Sequence, residues 1–242
     1  MEEEALCRMI ALVGADACAR LSRAHVMLFG LGGVGGGALE GLVRSGVGRL
    51  TLVDADAVHP SNLNRQLLAT RESIGQSKCE AAAARARAIA PSVRLDLRQV
   101  FATPENISGM IGEARPDYIL DAIDTVSAKL EIASVAARLG IPLITCLGTG
   151  NKLDPTRLHI GDIRETHTCP LARVMRRELR ARGIAHLTVV WSDEPPAAVA
   201  ALPGENGRHP PASSAFVPPV AGMMMASYAV RALMGGRKEG EN

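Results

Sequence analysis

The sequence predicts an α/β fold of the Rossmann-like, doubly wound class, with a mainly parallel sheet and a C-terminal α/β extension. A buried strand pattern is followed by a glycine-rich turn, a helical pattern and a second buried strand, which is a βαβ unit with parallel strands. Strand and helix patterns then keep alternating along the chain. The 242 residues, 47% hydrophobic and 21% charged, suit one globular domain.

The elements follow in order. The strand patterns lie at 25–30, 49–56, 93–100, 117–123, 142–148, 157–163 and 186–192. The helical patterns lie at about 3–21, 38–46, 81–90, from Thr103 onward, 127–140, 170–182 and about 220–234. Because 193–219 is rich in Pro, Gly, Ala and Ser, we interpret it as a long mobile loop, and 235–242 as a tail. We expect one domain over 1–242, with a nucleotide-binding part at about 1–150 and a substrate-facing part at about 151–234.

Composition excludes several classes of protein. The formal charge is only +2, and three Phe, two Tyr and one Trp are too few for a stacking platform that binds single strands. The five cysteines contain no C-x-x-C pair, which is untypical of a disulfide scaffold or a four-cysteine zinc site. The chain begins MEEE rather than with a basic signal sequence, and its apolar run at 220–230 is too short to cross a bilayer. We expect a cytoplasmic protein with no integral membrane span.

The glycine-rich turn predicts a phosphate-binding site. Gly30, Gly32, Gly33 and Gly35 form the pattern G-x-G-G-x-G between a strand and a helix, where backbone amides at the helix N-terminus can approach phosphate. Asp54 ends the second strand, where a carboxylate can bind a ribose hydroxyl. The pattern fits a nicotinamide dehydrogenase and an ATP-using enzyme equally well. A tight strand–helix packing without a ligand is the remaining alternative.

A crowded polar segment separates these alternatives. It contains the following side chains: Asp54, Asp56, Asn64, Arg65, Gln66 and Lys78. Phosphoryl or nucleotidyl transfer needs cations that neutralise the phosphate oxygens in the transition state, and an Arg fork and a Lys ammonium do so in complementary ways. A dehydrogenase has no such need unless it binds a single 2′-phosphate. A solvated charged loop is the structural alternative.

A third polar cluster, D-A-I-D, follows the fourth strand. Asp124 is placed just beyond the carboxyl end of that strand, where open α/β sheets bind ligands, and its carboxylate suits Mg²⁺ bridging phosphates. Asp121 lies inside the strand and is better explained as a hydrogen-bonded structural residue.

Together these motifs resemble the adenylating superfamily typified by ThiF, MoeB and the ubiquitin-activating enzymes. The resemblance implies that a substrate carboxylate attacks the α-phosphate of ATP. It implies that Asp54 holds the ribose with Asp56 beside it, that Asp124 faces Mg²⁺, and that Gln66 lies in the ATP site. By the same resemblance Asn64, Arg65 and Lys78 face the phosphates. Arg8 matches a family arginine that reaches into the other subunit of a homodimer.

Three downstream blocks, at 144–163, 166–184 and 213–233, are similar to the TcdA branch, the tRNA threonylcarbamoyladenosine dehydratases. That likeness extends from about Arg8 to Leu233. It implies ATP-dependent cyclisation of threonylcarbamoyladenosine at position 37 of tRNA, with ATP and Mg²⁺ as cofactors. A K⁺ or Na⁺ ion near the nucleotide and accessory sulfur-relay proteins are further expectations.

A protein that binds tRNA is expected to have a positively charged surface that attracts the RNA phosphates. Residues 164–182 hold six arginines against two glutamates, net +4. We predict that the helical arginines bind tRNA: Arg173, Arg176, Arg177, Arg180 and Arg182. Arg157 and His159 could extend this patch, and Lys152 and Asp154 could line the pocket mouth; a solvated helix face is the alternative.

The sequence leaves open whether two cysteines take part in the chemistry, and it allows three alternative functions. Cys169, at a helix start, and Cys146, at a strand end, are candidates for chemistry, although buried cysteine is more often a small hydrophobe. The chain could adenylate the C-terminus of a ubiquitin-like sulfur carrier. It could also be a non-catalytic, nucleotide-binding regulatory protein. A dehydrogenase is the most distant alternative.

Overall fold

The computed structural model describes residues 1–198 and 211–235 and places seven strands in one sheet of order β3-β2-β1-β4-β5-β7-β6. The strands are His25–Phe29 (β1), Arg49–Val53 (β2), Arg94–Arg98 (β3), Tyr118–Asp121 (β4), Leu143–Cys146 (β5), Leu158–Asp162 (β6) and Thr188–Ser192 (β7). All neighbouring pairs are parallel except β6 with β7, which are antiparallel. The predicted doubly wound, mainly parallel sheet is therefore confirmed.

Eight α-helices complete the described part of the chain. They are Glu3–Val13 (α1), Ala15–Arg23 (α2), Gly33–Arg44 (α3), Lys78–Ile89 (α4), Pro104–Ala114 (α5), Val126–Leu139 (α6), Pro170–Ala181 (α7) and Val217–Leu233 (α8). Apolar side chains from β1, β2 and β4 pack between the sheet and the helices on its two faces. In the described residues, no helix is both long enough and apolar enough to cross a membrane.

Two helix boundaries differ from the sequence prediction. The single stretch expected at 3–21 is two helices, because Gly14 takes a φ of +85° and turns the chain between α1 and α2. The last helix starts at Val217 rather than near Val220, since Pro218 and Pro219 occupy its first turn, where proline costs no hydrogen bond. The loop predicted at 193–219 is correspondingly shorter, and its residues 199–210 lie outside the described residues.

Helices α3 and α8 come from opposite ends of the chain and pack closely through glycines. A Cβ on Gly37 would lie 2.2 Å from the Pro219 carbonyl oxygen, and one on Gly222 would lie 1.9 Å from the Val34 carbonyl oxygen. Such backbone-to-backbone contact leaves no room for a side chain. The C-terminal helix thus fixes the position of α3, the helix that follows the glycine-rich turn.

The strand order reverses between β1 and β4. Strand β2 lies on one side of β1, and β4 lies on the other. In open α/β sheets this switch point leaves a crevice at the carboxyl ends of the strands, which is where ligands bind.

Candidate active site

A cavity of about 470 Å³ occupies that crevice. Its wall includes most of the predicted nucleotide-binding residues: Gly30, Gly32, Gly33, Asp54, Asp56, Arg65, Gln66, Lys78 and Asp124. We call it the nucleotide cavity. The structure therefore brings together residues from the glycine-rich turn, the crowded polar segment and the D-A-I-D cluster.

The glycine-rich turn shapes the floor of the nucleotide cavity. Gly30 has a φ of +86°, and a Cβ on Gly35 would lie 1.8 Å from the Gly30 carbonyl oxygen. Gly35 is buried behind the wall, so its predicted place in the binding site is indirect. Gly32 is the N-cap of α3 and carries no side chain, which leaves the positive end of the helix open toward the cavity.

Asp54 and Lys78 form a fixed polar cluster beside the glycine-rich turn. The Asp54 carboxylate accepts hydrogen bonds from the backbone amides of Leu31 (2.7 Å) and Asp56 (2.9 Å). Lys78 is buried, and its Nζ lies 2.7 Å from Asp56 Oδ2 and 3.9 Å from Asp54 Oδ1. The carboxylate of Asp54 keeps free lone pairs for a ligand hydroxyl, and Lys78 holds a positive charge at the cavity wall.

Arg65 lines the nucleotide cavity, whereas its neighbour Asn64 does not. Arg65 Nη1 donates to the Ser61 carbonyl oxygen (2.8 Å) and to Asn64 Oδ1 (2.9 Å). The Asn64 amide donates to the Ser213 carbonyl oxygen at 3.1 Å. In place of the predicted phosphate-facing side chain, Asn64 thus connects Arg65 to the segment that precedes α8.

Asp121 and Asp124 have different surroundings, as predicted. Asp121 is fully buried and pairs with the equally buried Lys129, whose Nζ is 3.1 Å from both carboxylate oxygens and 2.8 Å from the Cys146 carbonyl oxygen. Asp124 is exposed at the cavity wall and has no ion-pair partner within the described residues. An exposed carboxylate beside a phosphate-type site has the oxygen chemistry that Mg²⁺ prefers.

Several wall residues escaped the sequence analysis. Phe101 lines the nucleotide cavity although it is 67% exposed, and Ser213 and Pro218 reach it from the C-terminal segment. An exposed aromatic side chain directly after a strand is a signal that could have indicated Phe101. No sequence signal identifies Ser213 or Pro218, because their approach depends on the packing of α8 against α3.

A second cavity of about 400 Å³ adjoins the nucleotide cavity, and the two share wall residues at 122–124 and 149–150. Its own wall is mainly apolar and includes Cys146, Lys152 and the first turn of α7. Burial raises the pKa of the Cys146 thiol to about 12, so this cysteine is a thiol rather than a thiolate at neutral pH. Cys169 is also buried and forms the N-cap of α7. Of the two residues predicted at the pocket mouth, Lys152 lines this cavity and Asp154 lines neither cavity.

The predicted tRNA-binding arginines fall into two groups. Arg173 and Arg180 are exposed on α7 and make no ion pair with any described residue, whereas Arg177 and Arg182 both pair with Glu178. Arg176 differs from the prediction because its guanidinium turns inward.

Arg176 donates to the carbonyl and hydroxyl oxygens of Thr166 and thereby anchors the turn before α7. The predicted extension of the patch is also corrected: Arg157 and His159 lie 2.7 and 3.1 Å from the carboxylate of Asp193, which offsets the charge of Arg157 and engages the His159 ring.

Arg8 lies apart from both cavities. It is exposed on α1 and lines neither the nucleotide cavity nor the second cavity. Its predicted reach into the other subunit of a homodimer stays a prediction.

Fold and cavity together define a doubly wound α/β protein with a nucleotide-type cleft at its switch point. Residues 6–242 match the ThiF family, and the chain belongs to that family.

Two similar proteins are enzymes of tRNA modification. The tRNA threonylcarbamoyladenosine dehydratase of Bacillus subtilis (strain 168) is 39% identical over 233 residues, which cover 92% of this chain and 91% of the relative. The crystal structure of the Escherichia coli tRNA N6-threonylcarbamoyladenosine dehydratase, TcdA, in complex with ATP superposes with a TM-score of 0.87 and 31% identity. That match covers 96% of this chain and 95% of the other.

Another relative with a different named activity matches a smaller part of this chain. The sulfur carrier protein adenylyltransferase of Thermus thermophilus is 39% identical over 133 residues, which cover 54% of this chain and 48% of the relative.

Proposed function

We propose that this chain is an ATP-dependent tRNA threonylcarbamoyladenosine dehydratase, which cyclises the modified base at position 37 of tRNA through adenylation of its carboxylate. The observation that carries the proposal is the 39% identity over 92% of the chain to an enzyme of that name. The nucleotide cavity supplies the chemistry that this activity needs.

The cavity residues have complementary roles. The open N-terminus of α3 and the ammonium of Lys78 bind phosphate oxygens, and Arg65 stabilises the charge that develops on them. Asp54 binds the ribose with Asp56 beside it, and Gln66 lies in the ATP site, as the family resemblance implies. Asn64 acts indirectly, because its side-chain oxygen accepts a hydrogen bond from Arg65. Asp124 would hold Mg²⁺, whose charge would offset that of the phosphates, because its carboxylate is exposed at the wall.

The reaction proceeds in two displacements. An oxygen of the substrate carboxylate bonds to the α-phosphorus of ATP, and pyrophosphate leaves with the electron pair of the broken bond. A nitrogen or oxygen of the same side chain then attacks the activated carbonyl carbon, the bond to AMP breaks, and the attacking group loses its proton. No enzymic nucleophile is needed because both reacting groups belong to one side chain.

The tRNA approaches over the region at about 151–234, with Arg173, Arg177, Arg180 and Arg182 on the exposed surface of α7. Arg8 completes the nucleotide site of the partner subunit in a homodimer. The cytoplasmic location, the sulfur-relay proteins and the K⁺ or Na⁺ ion stay predictions.

The test is mass spectrometry of nucleosides from tRNA that carries linear threonylcarbamoyladenosine, incubated with the protein, ATP and Mg²⁺. We expect a loss of one water on that nucleoside, with one AMP released for each conversion. Arg65→Ala should lower the rate by a factor of about 10²–10³, since it removes one transition-state cation. Arg71→Ala is the matched control, because Arg71 is exposed and lies outside the cavity.

Two results would contradict the proposal. AMP release that depends on a carrier protein ending in Gly-Gly, without conversion of tRNA, would assign the chain to the sulfur-carrier adenylyltransferases, to which it is also similar. Nucleotide binding without turnover in either assay would support the regulatory protein instead.

A further inference from the structure

The second cavity contains a buried cation whose charge is not neutralised by a carboxylate. Lys152 is 6% exposed, and its Nζ donates to the carbonyl oxygens of Ser192 (3.2 Å) and Glu194 (2.5 Å). Within the described residues, no carboxylate lies at ion-pair distance from it. The other two described lysines, Lys78 and Lys129, each pair with an aspartate.

The carboxylate of Glu194, the residue whose backbone carbonyl contacts Lys152, is engaged elsewhere. The Glu194 carboxylate accepts hydrogen bonds from the backbone amides of Leu153 (3.0 Å) and Asp154 (3.0 Å). Burial lowers the pKa of Lys152, and the opposing effect of Cys169, Glu194 and Asp193 is smaller. A buried ammonium without a carboxylate partner is stabilised when an anion enters the cavity beside it.

The first turn of α7 adds a second positive feature to the same cavity. Cys169, Pro170 and Leu171 line it, and the Cys169 side chain makes no capping hydrogen bond to the helix amides. The positive end of this 12-residue helix is therefore open.

We propose that the second cavity binds the amino-acid substituent of the modified nucleoside, and that Lys152 binds its carboxylate. The mainly apolar wall suits a small aliphatic substituent. The wall shared at 122–124 and 149–150 places the carboxylate next to the nucleotide cavity. One carboxylate oxygen contacts the ammonium, and the other is free to attack the α-phosphorus. This inference rests on the proposed function and adds the residue that recognises the reacting group.

The experiment is a double-mutant cycle with one change in the protein and one in the ligand. The protein change is Lys152→Met, and the ligand change is esterification of the carboxylate. Binding of an anticodon stem-loop is measured by fluorescence anisotropy, with a non-hydrolysable ATP analogue present. The RNA carries threonylcarbamoyladenosine, its methyl ester, or unmodified adenosine. We expect the ester to bind the wild-type protein about 10-fold more weakly than the acid, because a charge-assisted hydrogen bond is lost. In Lys152→Met, acid and ester should bind equally.

Glu194→Ala is the matched control. It loosens the same 152–154 segment but keeps the ammonium, so the preference for the acid should stay within about twofold of wild type. Affinity for the ATP analogue should not change in either variant.

Equal binding of acid and ester by the wild-type protein would overturn the inference even if Lys152→Met failed to fold. An equal loss of preference in Lys152→Met and Glu194→Ala would overturn it too, since the effect would then be structural. Conversion of tRNA by the wild-type protein is measured separately. Cyclisation without a preference for the acid leaves the proposed function intact and refutes only the role of Lys152.

Discussion

The two adjoining cavities differ in how the chain builds them. The nucleotide cavity uses short motifs at the ends of neighbouring strands, and its buried Lys78 is neutralised by Asp56 within the same motif region. The second cavity joins the end of β5, the start of α7 and the region after β7, and its Lys152 is held by carbonyl oxygens. The difference teaches that the fold offsets one buried lysine with a carboxylate of its own motif region and leaves the other, Lys152, for a carboxylate that a ligand brings.

The largest expected effect comes from breaking a paired lysine. Lys129→Met should lower the free energy of unfolding by about 3–5 kcal/mol, because the Asp121 carboxylate would stay buried without its partner. Urea denaturation measures this. The double variant Lys129→Met/Asp121→Leu should regain most of the loss. Lys152→Met should lower the free energy of unfolding by a smaller amount, since only carbonyl oxygens lose their partner. An equal loss in the two variants would contradict the difference between a lysine paired with a carboxylate and Lys152.

A second variant tests the floor of the nucleotide cavity. Gly35→Ala should destabilise the protein by about 1–3 kcal/mol and weaken ATP binding, because its Cβ would clash with the Gly30 carbonyl oxygen. Thermal unfolding and calorimetric titration with ATP measure the two effects. Gly109→Ala is the control: Gly109 is exposed on α5 outside the nucleotide cavity, and its Cβ would meet no atom within 4 Å. Equal damage by both variants would show that the close approach at Gly35 is not the reason for the glycine.

A third set of variants separates the arginines of α7. Arg173→Ala and Arg180→Ala should each weaken tRNA binding and reduce the slope of log K against log [salt] by about 0.7–0.9, if each contacts one phosphate. Arg176→Ala should lower stability and leave the slope unchanged, because its guanidinium is bound to Thr166. Filter binding over a salt series measures the slopes. A reduced slope for Arg176→Ala alone would restore the sequence prediction.

The smallest expected effect is the pH dependence of the preference for the carboxylate over its methyl ester. Burial lowers the pKa of Lys152, with Arg157 acting in the same direction and Cys169, Glu194 and Asp193 opposing it. The ammonium should therefore lose its proton at a lower pH than a lysine in water does. The preference for the carboxylate over its methyl ester should decline as pH rises, and Lys152→Met should show no such decline. Anisotropy titrations across the alkaline range measure it, and a flat profile in the wild type would contradict the assignment.

The sequence was most informative where structure is local. The seven strands, the glycine-rich turn and Asp124 at a strand end were all predictable, because strand burial and turn chemistry depend on adjacent residues. The hydrogen-bond partners of polar side chains were not predictable from the sequence. Asn64 and Arg176 look like binding residues in sequence, yet their partners Ser213 and Thr166 depend on how distant segments pack. The burial of Lys152 is likewise a tertiary property of a segment that reads as a polar loop.

The glycine contacts between α3 and α8 have a consequence for the folding and synthesis of the chain. The helix that follows the phosphate-binding turn is synthesised early, but the backbone it packs against belongs to α8, the last helix of the described residues. Contacts between such distant parts of a chain form slowly, because a long loop must close first. We therefore expect nascent chains that lack α8 to bind ATP poorly, so that nucleotide affinity is acquired only after α8 has been synthesised.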